Sequence, residues 1–436
     1  MTQRLKCCVV LFFLFMGISE SSLAKEALNL KQLVAQSMHN NRDLRAARYI
    51  VSIAHARLVQ AGLWPNPSIN ISNYDDRYLT NEGEYTRSIG FTQAFPISGR
   101  ISSQKNVARA DVLKAIAEIK EAERQLSAKV ATTYYTLLMI NRRFQQVNYL
   151  LSVNKEFARV AHQRYHAAEV SELDNNSARI EYQRILQEKR LLQSALVSQQ
   201  AQLNRLVGLS PNQKLPVLLQ LPPHKTLPKA LLLNQLALKN RPDREALIAL
   251  IQRGHADVLL AKKERFADWT FNAGVQQNRI FVEGGEKQPP DNTLGINLTV
   301  PVPLLNQNQG RIAEAGATTN QAYMLLNALN LAIETEVANN YAQLNALHAT
   351  LHDTQDHLLT IGIKNVNLAK QAYRNGQISM LDWLLVQRQQ NDLQTTYLAN
   401  LEKYLQAYVA LCTAIGPGVP SSFCPYLAYC KESPRG

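Results

Sequence analysis

The sequence predicts a mainly α-helical chain made of two copies of one unit. Each unit pairs a short β-hairpin fit for a membrane β-barrel with a long antiparallel coiled-coil hairpin. Three observations predict this. The chain repeats itself at long period, each copy holds two alternating apolar–polar segments, and each carries an apolar seam spaced three, four, three, four.

The duplication is read from matched residues. Asn40, Asp43, Ala46, His55, Ala56 and Ala61 return as Asn240, Asp243, Ala246, His255, Ala256 and Ala261. Gly90 returns as Gly295, and Val130-Ala131 with Tyr134 as Val337-Ala338 with Tyr341. Tyr165, Ala168, Ser171, Leu173 and Asp174 return as Tyr373, Gly376, Ser379, Leu381 and Asp382. Leu206-Val207-Gly208 returns as Ala414-Ile415-Gly416. The offset grows only from 200 to 208 residues, so the repeat is a whole structural unit rather than a solenoid turn.

Residues 1–24 read as an export signal. Arg4 and Lys6 precede an apolar run from Val9 to Ile18, and Ser22-Leu23-Ala24 offers a small-x-small cleavage site. That run is too short for a spanning helix, which needs about 20 apolar residues. Cleavage after Ala24 leaves a net charge of +12, one less than the full chain's +13. The charge is dispersed over predicted helix surfaces, which argues against a nucleic-acid partner. Of five cysteines, Cys412, Cys424 and Cys430 remain after cleavage. Cys424 and Cys430 lie in an irregular tail and are expected to pair in an oxidising compartment, with Cys412 a packed free thiol. No later helix is apolar enough to span a membrane, so membrane insertion would require strands in a closed barrel.

The first repeat covers 25–208. It opens with an amphipathic helix over about 28–63, then strands at about 66–77 and 85–95 joined through Asn81-Glu82-Gly83. Ile69 and Ile71 alternate with Ser68, Asn70 and Ser72, while Ile89 and Phe91 continue the apolar face across the turn. Pro96 ends the second strand, since proline lacks a ladder donor. Gly99 then precedes a helix predicted over about 102–166, roughly 97 Å long at 1.5 Å per residue. Its seam runs Ile116, Ile119, Glu123, Leu126, Val130, Thr133, Leu137, Ile140, Phe144, Val147, Leu151. A break at about 167–171 returns the chain as a second long helix. A linker with five prolines, 209–228, joins the repeats.

The second repeat, 229–416, has the same order. A helix over about 229–264 leads to strands at about 268–282 and 292–301, where Trp269, Phe271, Ala273 and Val275 alternate with Thr270, Asn272 and Gly274. The connection carries Glu283-Gly284-Gly285 and Pro289-Pro290, Pro301 ends the second strand, and Gly310 precedes the long helix. The seam is Tyr323, Leu326, Asn330, Ile333, Val337, Asn340, Leu344, Leu347, Leu351, Thr354, Leu358, with the tip at about 374–379. A tail, 417–436, lies beyond the repeat. Four strands cannot close a barrel, so several chains must share one.

The duplicated Tyr-x-x-(Gly/Ala)-x-x-Ser-x-Leu-Asp signature at 165–174 and 373–382 and the strand–proline–helix junctions resemble those of the TolC-like outer-membrane efflux factors. The resemblance covers about residues 28–416. Gly62-Leu63-Trp64-Pro65-Asn66-Pro67 and the stretch from Pro301 to Gly310 most resemble the CzcC-type members that serve heavy-metal efflux pumps. The resemblance implies a homotrimer, with a twelve-stranded barrel in outer-membrane lipid and a periplasmic α-helical tunnel. It also implies a periplasmic adaptor and an inner-membrane RND pump as partners. The implied function is a passive exit duct for heavy-metal cations. A drug-efflux or type I secretion duct, or a soluble periplasmic coiled-coil scaffold, is the alternative.

The resemblance places Asp382, and Asp174 as its repeat, at a pore constriction where rings of carboxylates would favour cations. Both are equally placed to cap a helix N-terminus. Leu385 stands where some relatives carry a second acidic residue. The tips Ala168-Glu169-Val170-Ser171 and Gly376-Gln377-Ile378-Ser379 are implied adaptor contacts, or else simply turns; Ala168 in place of glycine implies a differently shaped first turn. His162/His166 and His348/His352 are i,i+4 pairs read as solvated helix-face residues, with His162 and His166 the pair to test for metal. No phosphate loop, nucleophile elbow or cofactor fingerprint occurs, so neither an enzyme nor a cofactor is expected.

Overall fold

The computed structural model describes residues 27–76, 83–222, 228–281, 288–417 and 423–427. The export signal, the Asn81-Glu82 and Glu283-Gly284-Gly285 turn residues, and Cys430 lie outside the described residues. The elements follow one order in both repeats. The first comprises α1 (Leu30–Asn40), α2 (Arg42–Gln60), β1 (Ser68–Asp75), β2 (Tyr85–Phe95), α3 (Arg100–His166) and α4 (Glu172–Val207). The second comprises α5 (Ala230–Asn240), α6 (Pro242–Lys263), β3 (Trp269–Arg279), β4 (Asp291–Thr299), α7 (Gln309–Asp353), a π-helical turn at Thr354–Leu358, α8 (Leu359–Arg374) and α9 (Met380–Ile415). At 67 residues, α3 extends about 100 Å. No helix among the described residues is long and apolar enough to cross a membrane.

The opening helix of each repeat is two helices, not one. In the first, Asn41 adopts an extended conformation and its side chain caps α2 by accepting from Leu44 N at 2.8 Å. In the second, Pro242 is the first residue of α6, where its missing N–H costs nothing. Both junctions are tied to the end of their repeat's return helix. Asn41 Nδ2 donates to Leu206 O at 2.9 Å, and Arg241 Nη1 donates to Ala414 O at 3.4 Å. Gly208, at φ 85°, lies so close to Asn40 that a Cβ would sit 2.3 Å from its carbonyl oxygen.

The principal core forms a waist where both repeats meet. Leu33, Val34, Tyr134, Leu203, Leu233, Leu344, Leu405 and Leu411 are fully enclosed there. The linker packs against this waist: Tyr134 Oη donates to Leu218 O at 2.6 Å and accepts from Gln220 N at 2.8 Å. Asn204 Nδ2 reaches the carbonyls of Ser210, Pro211 and Gln213 within 3.2 Å, fixing the turn out of α4.

Three expectations are corrected. Cys412 is not free and Cys424 does not pair with Cys430: Cys412 and Cys424 form a disulfide, with Cα atoms 5.9 Å apart. The cause is burial of the tail. Phe423, Tyr426 and Leu427 fold back onto α9, and Tyr426 Oη donates to Val409 O at 3.4 Å, carrying Cys424 to the helix. The second seam does not run through Leu358, which is 48% exposed. The π-helical turn adds one residue there, so burial passes from Thr354 to Gly362 and Ala369. Gly362 lets α9 approach, since a Cβ would fall on Gln390 Oε1. Finally, Gly310 does not precede α7 but lies in its first turn. Asn308, at φ 60°, takes the left-handed position that Gly99, at φ 75°, holds before α3.

Candidate functional site

The four strands form one antiparallel sheet in the order β1-β2-β3-β4, so the two hairpins join edge to edge. Register aligns like with like. Ile69, Phe91, Ala273 and Ile296 form one cross-strand row, and Ile71, Ile89, Val275 and Leu294 the next. Both rows face away from protein in the single chain; Ile71 is 77% and Leu294 73% exposed. A contiguous exposed apolar band of this kind is the surface a lipid-facing sheet requires.

The opposite face is polar and hydrogen-bonded within itself. Asn70 Nδ2 donates to Thr92 Oγ1 at 2.9 Å, Thr92 Oγ1 donates to Asn272 Oδ1 at 2.6 Å, and the Ser72 and Ser88 hydroxyls lie 2.7 Å apart. Gly90, Gly274 and Gly295 align across three strands on this face. A Cβ at Gly274 would meet Ile89 O at 2.8 Å and Gly90 Cα at 3.0 Å, so β2 and β3 crowd together on the polar side. Beneath the sheet, Arg100 at the start of α3 grips Asp268 before β3 with bonds of 2.8 and 2.5 Å, locking helices to strands across the repeats.

At the far end, α3 turns into α4 and α8 into α9. Ala168 N donates to Tyr165 O at 3.0 Å and Glu169 N to Arg164 O at 2.9 Å; Gly376 N donates to Tyr373 O at 3.1 Å and Gln377 N to Ala372 O at 2.8 Å. Both tips are thus the same Schellman turn. Ala168 adopts φ 58°, close to 69° at Gly376, so the first turn does not differ in shape as expected. The following serines cap α4 and α9. Ser171 Oγ accepts from Asp174 N and Ser379 Oγ from Asp382 N, each at 3.1 Å. The aspartates reciprocate: Ser171 N donates to Asp174 Oδ2 at 3.3 Å and Ser379 N to Asp382 Oδ2 at 3.1 Å. Hydrogen bonds from the Ser379 hydroxyl and backbone N–H hold the Asp382 carboxyl below its ordinary range. Each carboxylate is thus engaged at its own tip.

The tips are joined by an aromatic cluster. Phe157 stacks on Trp383 with centroids 4.0 Å apart, and Arg164 Nη1 donates to Tyr373 Oη at 3.1 Å. Glu169 lies 3.7 Å from Arg164. Val170 and Ile378 are half-buried, whereas Gln377 and Ser379 are exposed. Leu173 and Leu381, one in each repeat, are left 74% and 63% exposed; their recurrence in the duplicated signature was the available signal for this apolar surface. His162 and His166 are exposed on α3, four residues apart, just before the first tip.

The outer membrane efflux protein family model matches residues 33–209 and 233–417, one stretch per repeat. The cobalt-zinc-cadmium resistance protein CzcC of Cupriavidus metallidurans is 23% identical over 393 residues, covering 89% of this chain and 90% of CzcC. Among solved structures, CusC superposes with a TM-score of 0.73 at 18% identity, covering 89% of this chain and 92% of that one. The Campylobacter jejuni CmeC outer membrane channel superposes with a TM-score of 0.72 at 15% identity, covering 92% of this chain and 89% of that one.

Proposed function

This chain belongs to the outer membrane efflux protein family, and on that premise we propose that three copies form the passive exit duct of a tripartite pump whose cargo is heavy-metal cations. The observation that carries the duct is the sheet itself. It has an apolar face, a polar face and two edges, β1 and β4, that pair with no further strand among the described residues. Pairing β4 of one chain with β1 of the next would satisfy those edges and give twelve strands, enough for a water-filled bore. Lipid then covers the Ile and Leu rows, and the Asn, Thr and Ser rows line the passage.

The tips supply the other end. Leu173 and Leu381 offer apolar purchase to a periplasmic adaptor, set beside the polar turn residues Glu169 and Gln377. Asp174 and Asp382 are assigned to the constriction, where their caps hold them at fixed positions. An ionised Asp382, favoured by its capping bonds, suits a cation-selective mouth. The inner-membrane partner is an RND pump, which supplies the energy. The metal cargo is supported by the likeness to a protein named for cobalt, zinc and cadmium resistance.

Planar-bilayer conductance of the mature protein tests the duct. Discrete cation-selective openings, blocked by a divalent or trivalent cation and altered by Asp382→Ala, are expected. A protein that stays soluble and gives no conductance would leave a periplasmic scaffold instead. Deleting the gene should lower tolerance to cobalt, zinc or cadmium; lowered tolerance to antibiotics alone would assign the duct to drugs.

A further inference from the structure

His162 and His166 face each other one turn apart on the exposed side of α3. Their Nε2 atoms are 3.3 Å apart, and the rings meet edge to face with centroids separated by 4.5 Å. A neutral imidazole carries one N–H and one bare nitrogen. The facing nitrogens can therefore share a proton, or both can offer lone pairs to one cation. Zinc takes imidazole nitrogens at about 2.0–2.1 Å in tetrahedral geometry, which places two such ligands about 3.3–3.4 Å apart. The observed separation is that of a ready-made bite.

Spacing alone does not produce it. His348 and His352 are also four residues apart, yet His352 Nε2 turns to Asp356 at 3.3 Å, and the His348 ring packs against Tyr404 with centroids 6.2 Å apart. The two arginines beside the first pair on α3 are each paired with a carboxylate. Arg159 bonds Glu156 and Gln163, and Arg164 lies 3.7 Å from Glu169.

We propose that His162 and His166 form a surface site for one divalent transition-metal ion of the zinc or copper class, bound through both Nε2 atoms. Imidazole suits these ions better than it suits calcium or magnesium. Among the described residues no cluster of three or more metal-ligating side chains occurs, so two positions on the ion stay open to water or to a docking partner's side chain. His166 ends α3 two residues before Ala168 of the first tip, where a held ion could bridge to whatever seats there. Metal binding stands on the geometry of α3 and does not depend on the duct reading.

The test is calorimetric titration of the purified full-length protein with zinc chloride in a non-chelating buffer. One zinc ion per chain should be lost in the H162A/H166A variant and kept in H348A/H352A. Both pairs lie on exposed helix surface, and unchanged circular dichroism would show that the variants fold. Copper electron paramagnetic resonance should count two imidazole nitrogens in the native protein and one in H166A. No zinc binding by the native protein, equal stoichiometry in H162A/H166A, or a single-imidazole copper signal in the native protein would each overturn the site. Loss of conductance with zinc binding intact would count against the duct alone.

Discussion

Arg388 on α9 donates to the Glu181 carboxylate on α4 at 2.9 Å, and so ties the second helical hairpin to the first. Glu181 is 5% exposed at its side chain and also accepts from Arg184 at 2.7 Å. Burial alone would push its carboxyl up, but the two guanidiniums outweigh this and hold it below the ordinary range. Both arginines are about half exposed, so solvent screens part of each attraction.

Replacing Arg388 by Ala leaves Arg184 as a partner and should cost less than about 1 kcal/mol. Glu181→Ala removes the partner of Arg388, leaves Arg184 only its longer contact with Glu188 at 4.0 Å, and should destabilise the tips more. Thermal unfolding and single-channel recording read this together: a lowered melting temperature with longer openings is expected for E181A, and unchanged open times would show that the tie does not restrain the tips.

The Glu181 and Asp382 carboxyls are both depressed in the folded protein, from ordinary values of 4.5 and 3.8. A depressed carboxyl stabilises above its unfolded value, and that stability is lost as pH falls through the folded one. The tips should therefore loosen on acidification below about pH 4, not on alkalinisation. Amide hydrogen exchange at Ser379 and the first turn of α9, corrected for intrinsic rate, would show it. Asp382→Asn should remove the acid-dependent part in that turn.

Ala168 holds a left-handed conformation that costs a side chain about 1–2 kcal/mol, and a Cβ there adds no compensating contact at a turn so exposed. Ala168→Gly should stabilise the first tip by about 1 kcal/mol, and Gly376→Ala should destabilise the second by a similar amount. Chemical denaturation of the two variants decides this; equal and opposite shifts are expected, and two shifts of one sign would contradict it.

The Cys412–Cys424 bond closes a loop across a separation of 12 residues. Loop-closure entropy at that length corresponds to about 3 kcal/mol. Reduction, or Cys412→Ser, should lower the melting temperature and expose the segment around Tyr426 to protease. A tail equally resistant after reduction would mean that burial of Phe423, Tyr426 and Leu427 suffices.

Valine in place of Gly274 should block sheet assembly, because its Cβ would strike the neighbouring backbone at 2.8 Å. A Cβ at Gly295 would meet nothing nearer than 3.9 Å, so valine there should insert normally. Heat-resistant oligomers on a denaturing gel distinguish the two. Failure of both would show that the bore tolerates no bulk there, whatever the local crowding.

Much of this was legible because periodicity survives in sequence. Ile69 against Phe91 and Ile71 against Ile89 follow from strict alternation, and the waist residues Val130, Leu137 and Val337, Leu344 from the heptad seam. The breaks were less visible. Asn41 is a capping residue inside an unbroken apolar pattern, and only Pro242 announces its counterpart. The π-helical turn at Thr354–Leu358 leaves no composition mark, yet beyond it the buried positions are Gly362 and Ala369. The cysteine partner depended on where a tail lands, which is a matter of long-range burial rather than spacing. The bite of His162 and His166 is a rotamer property, invisible to a spacing that His348 and His352 share.

The equivalent junctions at Asn41 and Arg241 carry one further consequence. Geometry is copied there, but chemistry is not: a neutral amide serves the first, while a guanidinium held by Asp243 at 2.7 Å and Glu336 at 2.5 Å serves the second. Around an assembled ring the girdle would alternate between neutral sockets and sockets closed by an ion pair whose Arg241 side chain is 7% exposed and so little screened by salt. Burial pushes the Asp243 carboxyl up but Arg241 holds it below its ordinary range, so acid strong enough to protonate it would relax three positions and leave three untouched, turning a nearly six-fold collar into a frankly three-fold one.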